Sequence, residues 1–253
     1  MNWASRRRIA YFLGVVLFFS ALIGIPLAIY IYEPPSCFDK QMNQGETAPD
    51  RGGPCKLLDA RRIIPPSILW TRVFSTRPGI YNTVVYIENP NAGAGVKVAH
   101  YRIKLYDEKN IFVAEREGVL ALMPGTINPV FEGSIETGQR IAVRALFEFT
   151  NNLVWERLHD RSIYVAVSDK SLDEEDVAPR LKASVTNTDV ASYTDVGLVA
   201  VIFDTAGNAF AASSTVIPSM RGGEKKSILF TWPAPFTRRI GRFDVLPIVP
   251  PID

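Results

Sequence analysis

The residues of this 253-residue chain whose types suit chemistry are few: two cysteines, two histidines, scattered acids and four tryptophans. Cys37 and Cys55 stand in one polar stretch, where they form either a disulfide or two free thiols, depending on the compartment. Between them Asp39, Asn43, Glu46 and Asp50 supply hard oxygen ligands of the kind calcium takes. No EF-hand register fits them, and Asp and Asn in turns usually bond the local backbone, so the expectation is no metal, with these four as the only candidate cation ligands. Asp107 and Asp204 recur at matching places, each closing a strand, where an aspartate accepts the N–H groups that open a turn. His100 falls on the wet side of a strand and His159 in a charged segment, with no further ligand at metal-binding spacing. Gly-x-Ser-x-Gly, Ser-x-x-Lys, the Gly-rich phosphate loop and His-Glu-x-x-His are all missing. The chain therefore reads as a non-enzyme with no catalytic residue and no cofactor. Trp155 and Trp232 are the candidate ligand-facing aromatics, able to stack on sugar rings, although each adjoins an apolar run and suits core packing better. Arg238, Arg239 and Arg242 form a basic group suited to phosphates, an acidic partner or the chain's own acids.

Composition bounds what those residues serve. Apolar residues make up 47% of the chain, which excludes a disordered polymer, and 28 basic against 26 acidic residues argue against a nucleic-acid binder. From Ile9 to Tyr32 no charge interrupts IAYFLGVVLFFSALIGIPLAIYIY. As a helix it would reach about 36 Å, enough for a ~30 Å hydrocarbon core. Trp3 and Tyr11 near one end, Tyr30 and Tyr32 near the other, sit where an aromatic belt would be. Arg6, Arg7 and Arg8 precede the run, which puts the N-terminus (1–8) in the cytoplasm and everything after 9–32 outside. A cleaved signal peptide fits the same start, but the run is long for one and lacks a small-x-small site, so an uncleaved bilayer anchor is expected. Outside the cytoplasm, Cys37 and Cys55 are expected to pair.

After a juxtamembrane segment (33–66), the pattern becomes β: Tyr81–Glu88, Val96–Tyr106, Ile141–Phe149, Ile163–Val167, Leu181–Thr186, Val196–Phe203 and Lys226–Thr231 are rich in Tyr, Val, Ile and Phe. In the second of these, Ala99, Tyr101, Ile103 and Leu105 share one face, and Val98, His100, Arg102 and Lys104 the other. The two halves match in order and phase. Tyr86-Ile-Glu-Asn89 corresponds to Ser184-Val-Thr-Asn187, Leu105-Tyr-Asp107 to Ile202-Phe-Asp204, and Leu122-Met-Pro-Gly125 to Ser219-Met-Arg-Gly222. Two sandwich units are expected, 67–168 and 179–253, joined by an acidic linker, 169–178.

Two resemblances add to this. The strand–Asn–turn, the long strand ending Leu105-Tyr106-Asp107 and the Pro-Gly before a Phe-ending strand resemble the FxLYD domain, an immunoglobulin-like β-sandwich of bacterial envelope proteins. Ile103 replaces that family's aromatic residue, and the second unit keeps only Asp204 of the signature. Cys37 to Cys55 resembles a short Cys-rich module of secreted bacterial proteins of the DCGGPC type, departing from it at Arg51 and near Asp59, where cysteines would stand. The joint loss of that second pair is consistent with one surviving bridge, Cys37–Cys55. The resemblances imply tandem immunoglobulin-like sandwiches in an extracytoplasmic place and imply no catalytic residue. The expected function is a membrane-anchored structural or interaction protein of the cell envelope with a protein partner, the alternative being an adhesin or receptor binding envelope glycans through Trp155 or Trp232.

Overall fold

Helix α1, Trp3–Ile31, follows from its composition: long aliphatic and aromatic side chains on every face, with Pro26 the one residue that removes a backbone donor. Such an all-round apolar surface suits lipid rather than a protein core, and Phe12, Leu17, Ile23 and Ile29 are all exposed along it. It is long and apolar enough to cross a membrane. The computed structural model describes residues 3–31 and 36–251; Met1 and Asn2, Tyr32 at the end of the expected span, Glu33–Pro35 and Ile252–Asp253 lie outside the described residues. The chain forms two units, one ending at Cys55 and one beginning at Lys56.

The second unit is antiparallel β throughout. Its strands are β1 (Ser67–Arg77), β2 (Ile80–Asn89), β3 (Ala94–Tyr106), β4 (Phe112–Leu122), β5 (Thr126–Glu136), β6 (Arg144–Phe149) and β7 (Glu156–Arg157). They continue as β8 (Val165–Asp173), β9 (Arg180–Asn187), β10 (Tyr193–Asp204), β11 (Ala209–Met220), β12 (Lys225–Thr231) and β13 (Ile240–Ile248). Sheet β1-β2-β5 faces sheet β4-β3-β6, and β7 adds to β3; sheet β8-β9-β12 faces sheet β11-β10-β13. The strand order is the same in both pairs, β1 to β6 corresponding to β8 to β13.

The alternating faces land as their sequence dictates. Ala99, Tyr101, Ile103 and Leu105 fill the core of the first pair, and Val196, Leu198, Ala200 and Ile202 that of the second. Strands β2 and β10, however, are buried on both faces. Val84 and Tyr86 of β2 and Val199, Val201 and Phe203 of β10 meet in a third apolar layer with Phe74 and Ala212. Trp70 lies 4.1 Å from Tyr86, centroid to centroid, and edge-on to Phe203. The Arg242 guanidinium covers Phe203 at 3.7 Å. Four sheets are thus stacked, with three apolar layers between them.

One boundary differs from expectation. Residues 165–173 form β8, which pairs with β9 from Val165↔Asn187 to Asp173↔Arg180, so the first half of the expected 169–178 linker, and Val165–Val167 of the Ile163–Val167 run, belong to the second sheet pair. The acids there hold the sheet surface: Asp169 pairs with Lys225 and Asp173 with Lys182. The charged half of this edge strand reads as linker because a register shift between Ser168 and Ser171 interrupts the alternation that Val165 and Val167 begin and Leu172 resumes.

If the third layer joins the halves, urea should unfold both in one transition followed by tryptophan fluorescence. Phe203→Ala should cost about 3–5 kcal/mol, the usual range for a buried phenylalanine. A loss under about 1 kcal/mol, the range of surface substitutions and their surroundings, would contradict that layer's role.

Candidate functional site

The most elaborated side-chain chemistry sits at turns, and it recurs from one sheet pair to the other. Asn89 and Asn187 end β2 and β9, and both are fully buried. Asn89 Nδ2 donates to the Ala94 carbonyl at 2.7 Å and to that of Met123 at 3.1 Å, while its Oδ1 accepts the Asn91 N–H. Asn187 Nδ2 donates to Ala191 at 2.8 Å and Arg221 at 3.1 Å, and its Oδ1 accepts the Asp189 N–H. Each amide thus ties its own loop to the next hairpin turn. Asp107 Oδ1 accepts the N–H groups of Lys109 and Ile111, both at 2.9 Å. Asp204 Oδ1 accepts those of Ala206 at 3.0 Å and Asn208 at 2.8 Å, and Arg238 approaches its other oxygen. Those bonds, the Asn208 N–H foremost, hold the Asp204 carboxyl below the usual range. Both aspartates are turn builders, as their position at strand ends implies.

The same contacts correct the pairing of the hairpin turns. Met123 corresponds to Arg221, and buried Leu122 to buried Met220, one residue away from the match of Leu122 with Ser219. The cause is a bulge in β3 between Val96 and Ala99 that β10 lacks, which shifts the β4 side by one.

In the first unit, Cys37 and Cys55 form the expected disulfide. Of the four candidate cation ligands, the three carboxylates spend their oxygens on the loop itself, while the Asn43 side-chain oxygen is buried without a hydrogen-bond partner. Asp39 accepts the Gln41 and Ser36 N–H groups and the Asn43 amide, and Asp50 accepts the Lys40 N–H. Buried Glu46 accepts from Asn43 and Asp50, its second oxygen lying 2.9 Å from Cys55 Sγ. The Asn43 side chain leads the interactions that lower the Asp39 carboxyl. Cys37, Glu46 and Cys55 come together, but both sulfurs are spent in the disulfide.

The candidate aromatics are a correction. Trp155 is 5% exposed within the core of the first sheet pair and Trp232 is 7% exposed within that of the second, so neither presents a ring face for a sugar. The apolar runs beside them decided their burial. His100 and His159 are exposed. Of the basic group, Arg238 pairs with Asp204 and Arg242 with Asp244, rather than with the 169–178 acids.

Strand pairing creates a groove of about 380 Å³ that sequence patterning does not reveal, because it needs the edges of two sheets. It lies between edge strands β4 and β5, where Tyr101, Val119, Met123 and Phe131 meet Ile248 and Pro250. The Tyr101 hydroxyl donates to Glu132 Oε1 at 2.5 Å, and burial, reinforced by that carboxylate, pushes the phenol upward. Gly118, opposite Tyr101 in the β3–β4 register, leaves the space: a Cβ there would collide with the hydroxyl.

No protein-family model matches the chain, and no curated protein matches it. Among solved structures, a red sea bream transglutaminase aligns over 75% of this chain and 32% of its own length, at 9% identity and a TM-score of 0.23. A structure titled pT26-6p aligns over 75% of this chain and 62% of its own, at 7% identity and a TM-score of 0.22. The chain spans less than two thirds of either, and likenesses at these scores carry no argument about fold or function.

Gly118→Ala should destabilise the first sheet pair by about 1–3 kcal/mol, the range for overpacking, and Tyr101→Leu should recover part of that loss in urea melts. Asn187→Ala should cost about 1–3 kcal/mol, because it removes a fully buried amide that holds the Ala191 and Arg221 carbonyls and the Asp189 N–H. Asp189 accepts the Tyr193 hydroxyl at 2.6 Å, the main cause of its lowered pKa. Its stabilisation is therefore full above the ordinary carboxylate value and is lost as pH falls through the lower folded value. Tyr193→Phe should move the acid-unfolding midpoint to higher pH; an unchanged midpoint would remove that linkage.

Proposed function

We propose that this chain is a single-pass, membrane-anchored, extracytoplasmic protein of the bacterial cell envelope with a structural or protein-binding role and no catalysis. The observation that carries the reading is the succession of parts: an apolar helix, then a disulfide-tied loop, then a rigid stack of β-sheets. Disulfides persist outside the cytoplasm, and the arginines at 6–8 favour an inside N-terminus, which agree with one another. We read the two sheet pairs as tandem repeats of FxLYD type, supported by their common strand order and by the matched bonding of Asn89 with Asn187 and Asp107 with Asp204. The Cys37–Cys55 loop is read as a reduced DCGGPC-type module.

A partner has edges and loops to use. Strands β4 and β5 are unpaired along one side, and Ile111 and Phe112 project beside the Asp107 turn. Edges of this kind accept an added strand, and tethering raises the effective concentration towards any membrane-bound partner. Burial of Trp155 and Trp232 takes away the aromatics on which a glycan receptor would have rested.

Cross-linking in native membranes, followed by purification through a C-terminal tag and mass spectrometry, tests the reading. A protein recovered in fixed stoichiometry is expected, and β4 edge charge changes such as Val119→Lys should reduce its recovery. Recovery of this chain alone would contradict it.

A further inference from the structure

The disulfide-tied loop exposes what a water-facing spacer would hide. Phe38 is 89% exposed and Met42 is 64% exposed, four residues apart, with exposed Lys40 between them. Nothing in the loop's own bonding forces this. The backbone is fixed by Cys37–Cys55, by Asp50 on the Lys40 N–H, by Asp39 on the Gln41 N–H and by Glu46 on the Asn43 and Asp50 N–H groups. Lys40, Gln44 and Asp50 hold left-handed φ values, which the network over-determines. The polar groups face inward on the backbone and the bulky apolar ones face out, the reverse of a small soluble domain.

What covers them follows from the covalent chain. Five peptide steps separate Ile31 from Ser36, so the loop starts within about 18 Å of the helix end. A helix from Ile9 to Ile31 already rises about 34 Å, which brings its end to the boundary of a ~30 Å hydrocarbon layer. We infer that the loop of residues 36–55 seats on the bilayer, with Phe38 and Met42 entering the headgroup and upper acyl region and Lys40 lying among the lipid phosphates. An aromatic ring at that depth and a lysine at its rim are what an interfacial anchor requires. This rests on the reading of α1 as a membrane span. It also gives the disulfide a second role, which is to hold the loop's apolar tip in shape for the lipid surface.

The test uses the full chain in vesicles of phosphatidylcholine and phosphatidylglycerol, comparing Phe38→Trp with the parent so that the native tryptophans cancel. Bilayer seating predicts that the added indole emits to the blue, is quenched by lipids brominated near the carboxyl end of the acyl chain, and is shielded from aqueous iodide. Strong iodide quenching without lipid quenching would overturn the inference. Alkaline carbonate washing of the same vesicles separates the two claims. A chain that stays with the vesicles while its added indole is open to iodide sinks the loop seat and keeps the anchor; a chain that washes off sinks both.

Discussion

Everything in the β region depends on two strands that are buried twice. β2 sends Val85 and Ile87 into one core and Val84 and Tyr86 into another, and β10 divides Leu198, Ala200 and Ile202 from Val199, Val201 and Phe203 in the same way. A strand with two buried faces has no side left for water, so each half must lie on the other. At the usual ~25 cal/mol per Å² of apolar area, a layer built around Phe74, Tyr86 and Phe203 is worth several kcal/mol, comparable to a small domain's whole stability. The halves are therefore joined by packing rather than by a hinge, and the short 158–164 connection from β7 to β8 needs no stiffness of its own.

Much of this was legible in the residues. The inward phase of β3 and of β10, the turn roles of Asp107 and Asp204, the asparagines closing β2 and β9, and the pairing of Cys37 with Cys55 all follow from alternation, strand-end position and compartment. The third layer was less visible because Thr83-Val-Val-Tyr-Ile87 and Gly197-Leu-Val-Ala-Val-Ile-Phe203 carry continuous apolar runs, which report burial without saying against what. The bulge between Val96 and Ala99 leaves no compositional trace, so it misplaced the Met123 turn by one residue. The second half of strand β8 reads as linker because the irregularity between Ser168 and Ser171 breaks its alternation, leaving Leu172 alone among Asp169, Lys170 and Asp173. The groove beside Tyr101 depends on which strands end as edges, a property of topology alone.

The candidate chemistry resolves in a consistent direction. Acids that might have served catalysis or a cation bond the backbone of turns, and the aromatics that might have met sugar fill cores. Polar side chains are spent on fixing loops, which suits a protein whose value lies in presenting a stable surface. Phe38 and Met42 at the disulfide loop and the β4 and β5 edges are left open instead, and on the proposed reading they are where a bilayer and a protein partner would be met.

The most direct test of the central claim is native-state hydrogen exchange under increasing denaturant. The account predicts that the amides of Val84–Tyr86 in β2 and Val199–Val201 in β10 exchange only through global unfolding, converging on one free energy with the core amides of both sheet pairs. Two separate free energies, one for each sheet pair, would show that the halves open independently and would contradict the third layer as the interaction that makes them one block.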